Sequence, residues 1–499
     1  MSAIQINEQL LDEKFAGLEA VRQWSPRVIS KLETMIHTAD DYALFRINPV
    51  KYASDKGMSE NEAIDLFLYG TKVGLFEMEW HLTCAFCAHV VESFRDLTDL
   101  YTHFGCKVCS SVNDVALDDY IQVSFTISPQ IRDIVFRHPE SLSTEDFYLK
   151  YYLSKGVLPS SEGQKFEDQL RHLTKLFVDI FSQEKRTVEL DLAPGLFQIR
   201  DMSNNTSVTF LISDNQDPGM QTVPLKLMDG KFQAVDRTLL PQELIIEPCT
   251  LQLEQVGQLS SGKVVIKIEN LMEKRSPIWM IHFPPDYIPS YKQFEPFLSG
   301  KMLLTTQTFR DLFRSEVVSS SEGIGVQDIT FLFTDLKGST DLYDRIGDLK
   351  AYYLVRQHFD TLGRVITQNS GAIVKTIGDA VMATFMNPVD AVKTAIEMLQ
   401  DIKEFNHNIS DDLILKIGIH RGPSIVVTLN DRLDYFGQTV NIAARVQGLA
   451  GANEIYVSSD AHNYPGVDEV LEEYEVSPEQ ANVKGVSEQL DVSKVTVRK

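Results

Sequence analysis

Two aspartates stand where metal chemistry would need them. Asp335 follows the apolar run in FLFTDLKGST (331–340), and Asp379 sits at the turn of IVKTIGDAVMATF (373–385). If those runs are adjacent strands, both carboxylates reach one edge of a sheet. Two hard carboxylates near a phosphate chain suit Mg²⁺ or Mn²⁺, which take few protein ligands and complete their shells with phosphate oxygens and water. Taken singly, each Asp serves equally well as a turn former. The segment 336–340 shifts the balance, because Gly338 permits close backbone approach and Ser339 and Thr340 open a helix whose N–H groups favour phosphate. A third patch, DYFGQTVNIAARV (434–446), sets Asn441 and Arg445 four residues apart on one helical face. These are the parts of an enzyme that holds metal ions, a nucleoside triphosphate and a developing negative charge.

The elements that must position them alternate strand and helix. Residues 328–334 read as a buried strand, 339–368 as mostly helix, and 372–385 as a hairpin turning at Gly378-Asp379. Residues 389–405 form an amphipathic helix with Val392, Ala395, Ile396, Leu399 and Ile402 on one side. Residues 413–420 and 424–429 read as a strand pair, and 438–449 as a further helix. The pattern is α+β, with helices packed on a mixed sheet.

At 499 residues the chain exceeds one core. Its 43% hydrophobic and 23% charged content is that of ordinary globular protein, and its net charge of -23 opposes nucleic acid and anionic lipid. No apolar run is long enough to span a bilayer and no signal segment opens the sequence, so a cytoplasmic protein is expected. No internal repeat is detected.

The three patches together resemble the catalytic domain of class III nucleotidyl cyclases, the adenylate/guanylate cyclases, over roughly 323–499. The resemblance implies a ferredoxin-like α/β domain in which Asp335 and Asp379 hold two Mg²⁺ or Mn²⁺ ions with the Leu336 carbonyl. It implies that Lys375 and Asp434 read the adenine edge, that Asn441 orients the ribose and that Arg445 stabilises the pentavalent phosphorus. Lys484 falls near the family's triphosphate-binding Lys, in a looser match. Family sites are built from two subunits, which implies a homodimer with Asp335, Lys375 and Asp379 on one chain facing Asp434, Asn441 and Arg445 of the other. The Lys375/Asp434 pair points to ATP, and thus to an adenylate cyclase making cyclic AMP and pyrophosphate. A GTP cyclase and a catalytically silent nucleotide-binding regulator are the alternatives, and the absence of a GGDEF sequence argues against a diguanylate cyclase. His420 reads as a structural residue.

Upstream, Cys84, Cys87, Cys106 and Cys109 form a C-x2-C-x18-C-x2-C spacing, which predicts a zinc ribbon with a structural Zn²⁺; a thiol–disulfide pair is the rival. His81, His89 and His103 read as bystanders, and Cys249 as a small buried apolar residue. Residues 46–80 read as helix-turn-helix and strand, opened by Pro49, broken at Gly57 and restarted by a Ser59/Glu62 capping box. That segment resembles a winged helix, and with the ribbon it is similar to archaeal transcription factor E. The acidity and the lack of a basic recognition helix argue against DNA binding. The whole region also looks like the uncharacterised module preceding some bacterial cyclase domains. Runs at 188–192, 208–212, 243–256 and 263–268 predict a β-sandwich or small barrel. The expected multidomain α+β order is a helical/winged-helix region with zinc ribbon (1–155), a helical connector (156–185), the β-sandwich-like domain (186–303), a connector (304–322) and the catalytic domain (323–499). The N-terminal region would regulate it in response to an unknown ligand or protein.

Overall fold

The computed structural model describes residues 5–100, 103–106, 108–109, 112–114, 121–214, 221–234, 242–246, 251–287, 292–314, 318, 323–407, 409, 411–482 and 489–497. Lys484 and Cys249 lie outside them. The chain opens with helices α1 (Glu8–Val21), α2 (Pro26–Thr38), α3 (Asp41–Leu44), α4 (Pro49–Lys56) and α5 (Glu60–Val73). Proline starts α2 and α4 at a position whose N–H has no helical partner to lose. Gly57 ends α4 at φ 58°, and the Ser59 hydroxyl accepts from the Glu62 N–H, so the expected helix-turn-helix and its cap are present. Strand β1 (Phe76–Thr83) follows and lies between β2 (Val90–Phe94) and β5 (Ile121–Ile127); β3 (His103–Gly105) and β4 (Val112–Asp114) pair separately.

After the short α6 (Thr144–Asp146) and α7 (Phe166–Leu173), the chain builds two sheets. The first runs β11 (Lys231–Ala234), β10 (Gln221–Met228), β14 (Gly262–Asn270), β7 (Lys185–Leu192). The second runs β12 (Gln242–Ile246), β13 (Leu251–Ser260), β9 (Thr206–Ser213), β8 (Gly195–Asp201), β15 (Ser276–Phe283), β6 (Thr174–Ile180). Phe197, Phe210 and Ile212 of the second meet Val223, Leu225 and Ile266 of the first in one core. Two expectations need correction. The connector 156–185 is not wholly helical, because its end is edge strand β6, which pairs with β15. The single run 243–256 is two strands, β12 and β13.

Two helices, α8 (Gly300–Leu304) and α9 (Gln307–Leu312), lead into the last unit. Its sheet runs β17 (Ala372–Ile377), β18 (Ala380–Phe385), β16 (Ile324–Leu336), β19 (Leu415–Leu429), β21 (Glu454–Ser458), β23 (Leu490–Val497), β22 (Tyr474–Ala481), with β20 (Arg432–Phe436) paired to β19 alone. The helices are α10 (Ser339–Ile346), α11 (Asp348–Gln368), α12 (Pro388–Asn406), α13 (Gln438–Leu449), α14 (Ser459–His462) and α15 (Val467–Leu471). The expected strand pair 413–420 and 424–429 is one continuous strand, β19. Gly422-Pro423 sits opposite the irregularity between Val326 and Ile329 in β16, so it marks a bulge and not a reversal. A Cβ at Gly422 would also lie 3.0 Å from the Thr439 hydroxyl, so α13 packs where a side chain is missing. Among the described residues no helix is long and apolar enough to cross a membrane.

One hydrophobic core runs from the N-terminal helices into this last unit, taking in Leu18, Phe67, Trp80, Phe309, Phe331 and Tyr435. Phe309 on α9 is its hinge point, fully buried edge-to-face against Trp80 at 6.0 Å and stacked on Phe313 at 5.4 Å. Phe309→Ala should cost about 3–5 kcal/mol, read as a lowered urea midpoint of the transition that carries both units. A loss below about 1 kcal/mol would mean that the two units do not share this core.

Candidate active site

Strand β16 is the central beam of the C-terminal sheet. Its residues 330–333 pair with β18 and its whole length with β19, so residues 329–334 are buried and polarity emerges only at its end, with Asp335. The β16–β18 register matches Phe333 with Met382, and the Val381 N–H donates to Thr334 Oγ1 at 3.1 Å. Continuing that register sets Asp335 opposite Ala380, next to Asp379 in the turn. Gly378 takes φ 64° there, as a tight reversal requires. The two strand ends thus bring both carboxylates together.

Their electrostatics are unfavourable. Burial, reinforced by the nearby Asp379 charge, raises the Asp335 pKa above the ordinary carboxylate value. Lys416, whose Nζ lies 3.8 Å from Asp335 Oδ2, works the other way. The nearby Gln447 side chain also lowers it. Asp379 Oδ2 is itself buried with no hydrogen-bond partner among the described residues. A buried carboxylate oxygen with no donor beside a second carboxylate fits divalent cations. Lys416 and Gln447 were not anticipated. Lys416 could have been found from the pairing of β16 with β19, which sets it opposite Asp335. Gln447 reaches the site because Gly418 lets α13 lie on β19; a Cβ there would come within 2.1 Å of the Gln447 backbone nitrogen.

The Lys375 ammonium lies 2.5 Å from Asp434 Oδ2 in the same chain. This corrects the expected grouping, which assigned Lys375 to the half-site of Asp335 and Asp379. The two strands are separated by β18, β16 and β19 in sheet order, but β20 folds back over the sheet, with Tyr435 packed edge-to-face on Phe331 at 5.4 Å. Helix α9 braces both strands. The Ile373 N–H donates to Gln307 Oε1 at 2.7 Å, and Arg310 Nη2 donates to the Leu433 carbonyl at 2.7 Å. Asp434 is fixed further by the Tyr435 N–H at 2.8 Å. Gly338, at φ 74°, caps α10, with Ser339 and Thr340 in its first turn. Asn441 is exposed and Arg445 half-buried on α13, and among the described residues neither pairs with Asp335 or Asp379. His420 bonds Ser458 at 2.7 Å and is pushed down to about 4 by burial, in keeping with a structural role.

The four cysteine sulfurs lie within 4.8 Å of one another, with Cys84–Cys109 at 3.6 Å and Cys87–Cys106 at 3.4 Å. These separations exceed the roughly 2.05 Å of a disulfide and approach the roughly 3.8 Å edge of a tetrahedron with 2.3 Å zinc–sulfur bonds. His81 and His89 are turned elsewhere, His81 to Ser93 and Ser124 and His89 Nδ1 to the Cys87 carbonyl.

The raised Asp335 pKa has a sign. Below the unfolded value both states are protonated; above the folded value the native state carries a disfavoured charge, so stability is lost as pH rises through it. With metal chelated, Asp335→Asn should therefore raise the thermal midpoint at neutral pH, and that advantage should shrink as pH falls from the raised folded value toward the ordinary carboxylate value and be gone below it. A midpoint lowered at neutral pH would contradict the assignment.

A model described as "Adenylate and Guanylate cyclase catalytic domain" matches residues 324–493, and one described as "Family of unknown function (DUF5939)" matches residues 11–311. An adenylate cyclase of Anabaena cylindrica is 28% identical over 191 residues, 33% of this chain and 38% of the relative. The receptor-type guanylate cyclase gcy-13 of Caenorhabditis elegans is 26% identical over 163 residues, 30% of this chain and 16% of the relative. The chain thus spans well under half the length of these relatives. Among solved structures, the adenylyl cyclase CyaB from P. aeruginosa is 23% identical, covering 36% of this chain and 97% of that one at a TM-score of 0.32. With its cysteine cluster and paired strand-end carboxylates, the chain belongs to the family of unknown function DUF5939 and carries a class III nucleotidyl cyclase catalytic domain over residues 324–493.

Proposed function

We propose that the chain is an adenylate cyclase that converts ATP to cyclic AMP and pyrophosphate at sites shared across a homodimer. The buried, unpartnered Oδ2 of Asp379 beside the disfavoured charge of Asp335 carries this reading. Asp335, Asp379 and the Leu336 carbonyl would hold two Mg²⁺ or Mn²⁺ ions, which when bound ease loss of the ribose 3′-OH proton and offset charge on the phosphates. The N-terminus of α10, with Gly338, Ser339 and Thr340, favours the phosphate chain, and Lys484 is a further candidate contact. Asn441 orients the ribose. Arg445 stabilises the charge on the α-phosphate as the 3′-oxygen bonds to phosphorus and the bond to pyrophosphate breaks.

The Lys375–Asp434 pair supports ATP over GTP. Adenine offers an acceptor ring nitrogen to the ammonium and an amine donor to the carboxylate, whereas guanine offers a carbonyl oxygen where the carboxylate needs a donor. Because the pair lies within one chain, Asp335 and Asp379 of one protomer would face Lys375, Asp434, Asn441 and Arg445 of the other. Exposure of Ile377, Ile425, Leu429 and Phe436 supports a covering partner. The fit of Cys84, Cys87, Cys106 and Cys109 supports a structural Zn²⁺, and the braces from α9 support regulation by the N-terminal region.

Incubating the full chain with each ribonucleoside triphosphate and Mn²⁺ should yield a cyclic product from ATP, identified by mass. Asp379→Ala should abolish it, and Arg445→Ala should lower kcat by about 10²–10³-fold with little change in KM. Product from GTP alone would remove the base-reading argument, and no cyclic product from any substrate would remove the enzyme. Denaturing the chain should release one zinc per chain, and native chelation should lower its thermal midpoint; a metal-free preparation of equal stability would exclude the zinc.

A further inference from the structure

A cavity of about 510 Å³ opens in the N-terminal module, walled by α2, α3, α4 and strands β1 and β5. Arg46 and Lys155 both line it, and Arg46 is only 8% exposed. Their partners are neutral. Arg46 donates from Nη1 to the Tyr151 carbonyl at 2.6 Å and from Nη2 to Ser93 Oγ at 3.3 Å. Lys155 donates to the carbonyls of Tyr42 and Phe45, with its ammonium 4.1 Å from the centre of the Tyr42 ring. Among the described residues neither forms an ion pair with a carboxylate. The acids at the mouth, Asp55 and Glu295, share the half-exposed Lys51 at 3.4 and 3.6 Å and touch neither cation. His81 on the same wall is bonded to two serine hydroxyls and held well below its ordinary pKa by burial and by Arg46, so it supplies no charge.

Among the described residues two cationic side chains thus share a low-dielectric cavity with no carboxylate in ion-pair contact, Glu79 acting on Arg46 and Asp40 on Lys155 only from a distance. The strain of this arrangement appears twice. Burial, with Arg46 adding to it, lowers the Lys155 pKa to about 7. Arg46 is held at φ 46°, a left-handed conformation that disfavours side chains. Arg46 Nε and the Tyr52 hydroxyl, both in wall residues, are buried without a hydrogen-bond partner among the described residues.

We propose that this cavity binds a phosphomonoester of a small metabolite, with Arg46 and Lys155 facing the phosphate and Tyr42 and Tyr52 flanking the organic part. A phosphate carries close to two negative charges at neutral pH and three acceptor oxygens, enough to engage Arg46 and to hold Lys155 protonated beside it. The volume lies in the small-ligand range of roughly 300–1,000 Å³. The site shares no residue with the cyclase carboxylates and stands independently of the activity proposed for them.

Thermal unfolding of the full chain tests it, with ribose 5-phosphate, inorganic phosphate, ribose and KCl at matched ionic strength. Ribose 5-phosphate lacks a base, so Lys375 and Asp434 have nothing to read. Both phosphates should raise the midpoint, while ribose and KCl should not. Lys155→Gln should remove most of the phosphate shift. Ser154→Asp, which sets a carboxylate beside Lys155, should raise the ligand-free midpoint and abolish the response, and it serves equally if Lys155→Gln does not fold. No shift with either phosphate, an equal shift with KCl, or a phosphate shift unchanged in a folded variant would overturn the proposal.

Discussion

Two carboxylates held side by side at the ends of neighbouring strands repel each other, and the C-terminal unit is organised around that repulsion. Asp335 cannot retreat, because β16 is paired on both edges and its preceding residues are buried. Asp379 cannot retreat either, because its turn joins two strands of the same sheet. What the protein supplies is partial relief. Lys416 comes from one flank across β19, and Gln447 from α13 through the gap left at Gly418. The remainder of the negative potential is what a divalent cation would meet.

The Lys375–Asp434 ion pair has the opposite character. Lys375 and Asp434 satisfy each other, so a base read by them would have to replace an ion pair before it gained contacts. Such a pair gives specificity more readily than affinity, since the wrong base leaves both charges poorly matched.

Legibility in the sequence followed the range of the interactions. Local signals carried well: Pro49, Gly57 and the Ser59 cap predicted α4 and α5, and the apolar run before Asp335 predicted the buried strand. The C-x2-C pairs foretold the clustered sulfurs. Interactions between distant segments did not carry. Gly422-Pro423 has the composition of a turn, and only its pairing opposite an irregular stretch of β16 makes it a bulge. The contact of Lys375 with Asp434 depends on β20 folding over the sheet onto Phe331, which no spacing along the chain encodes. Strand β6 was hidden because its burial barely alternates, and β15 because its continuous apolar run is adjoined by prolines.

Helix α9 closes the N-terminal family match, with its first five residues inside that match and none in the cyclase match. Yet its Gln307 and Arg310 hold the two strands that carry the Lys375–Asp434 pair, two residues before Lys375 and one before Asp434. The seam drawn by ancestry and the seam drawn by mechanics therefore do not coincide. A catalytic piece cut out at residue 323 would be missing part of its own scaffold, and a foreign input domain joined there would have to bring a helix that grips both strands.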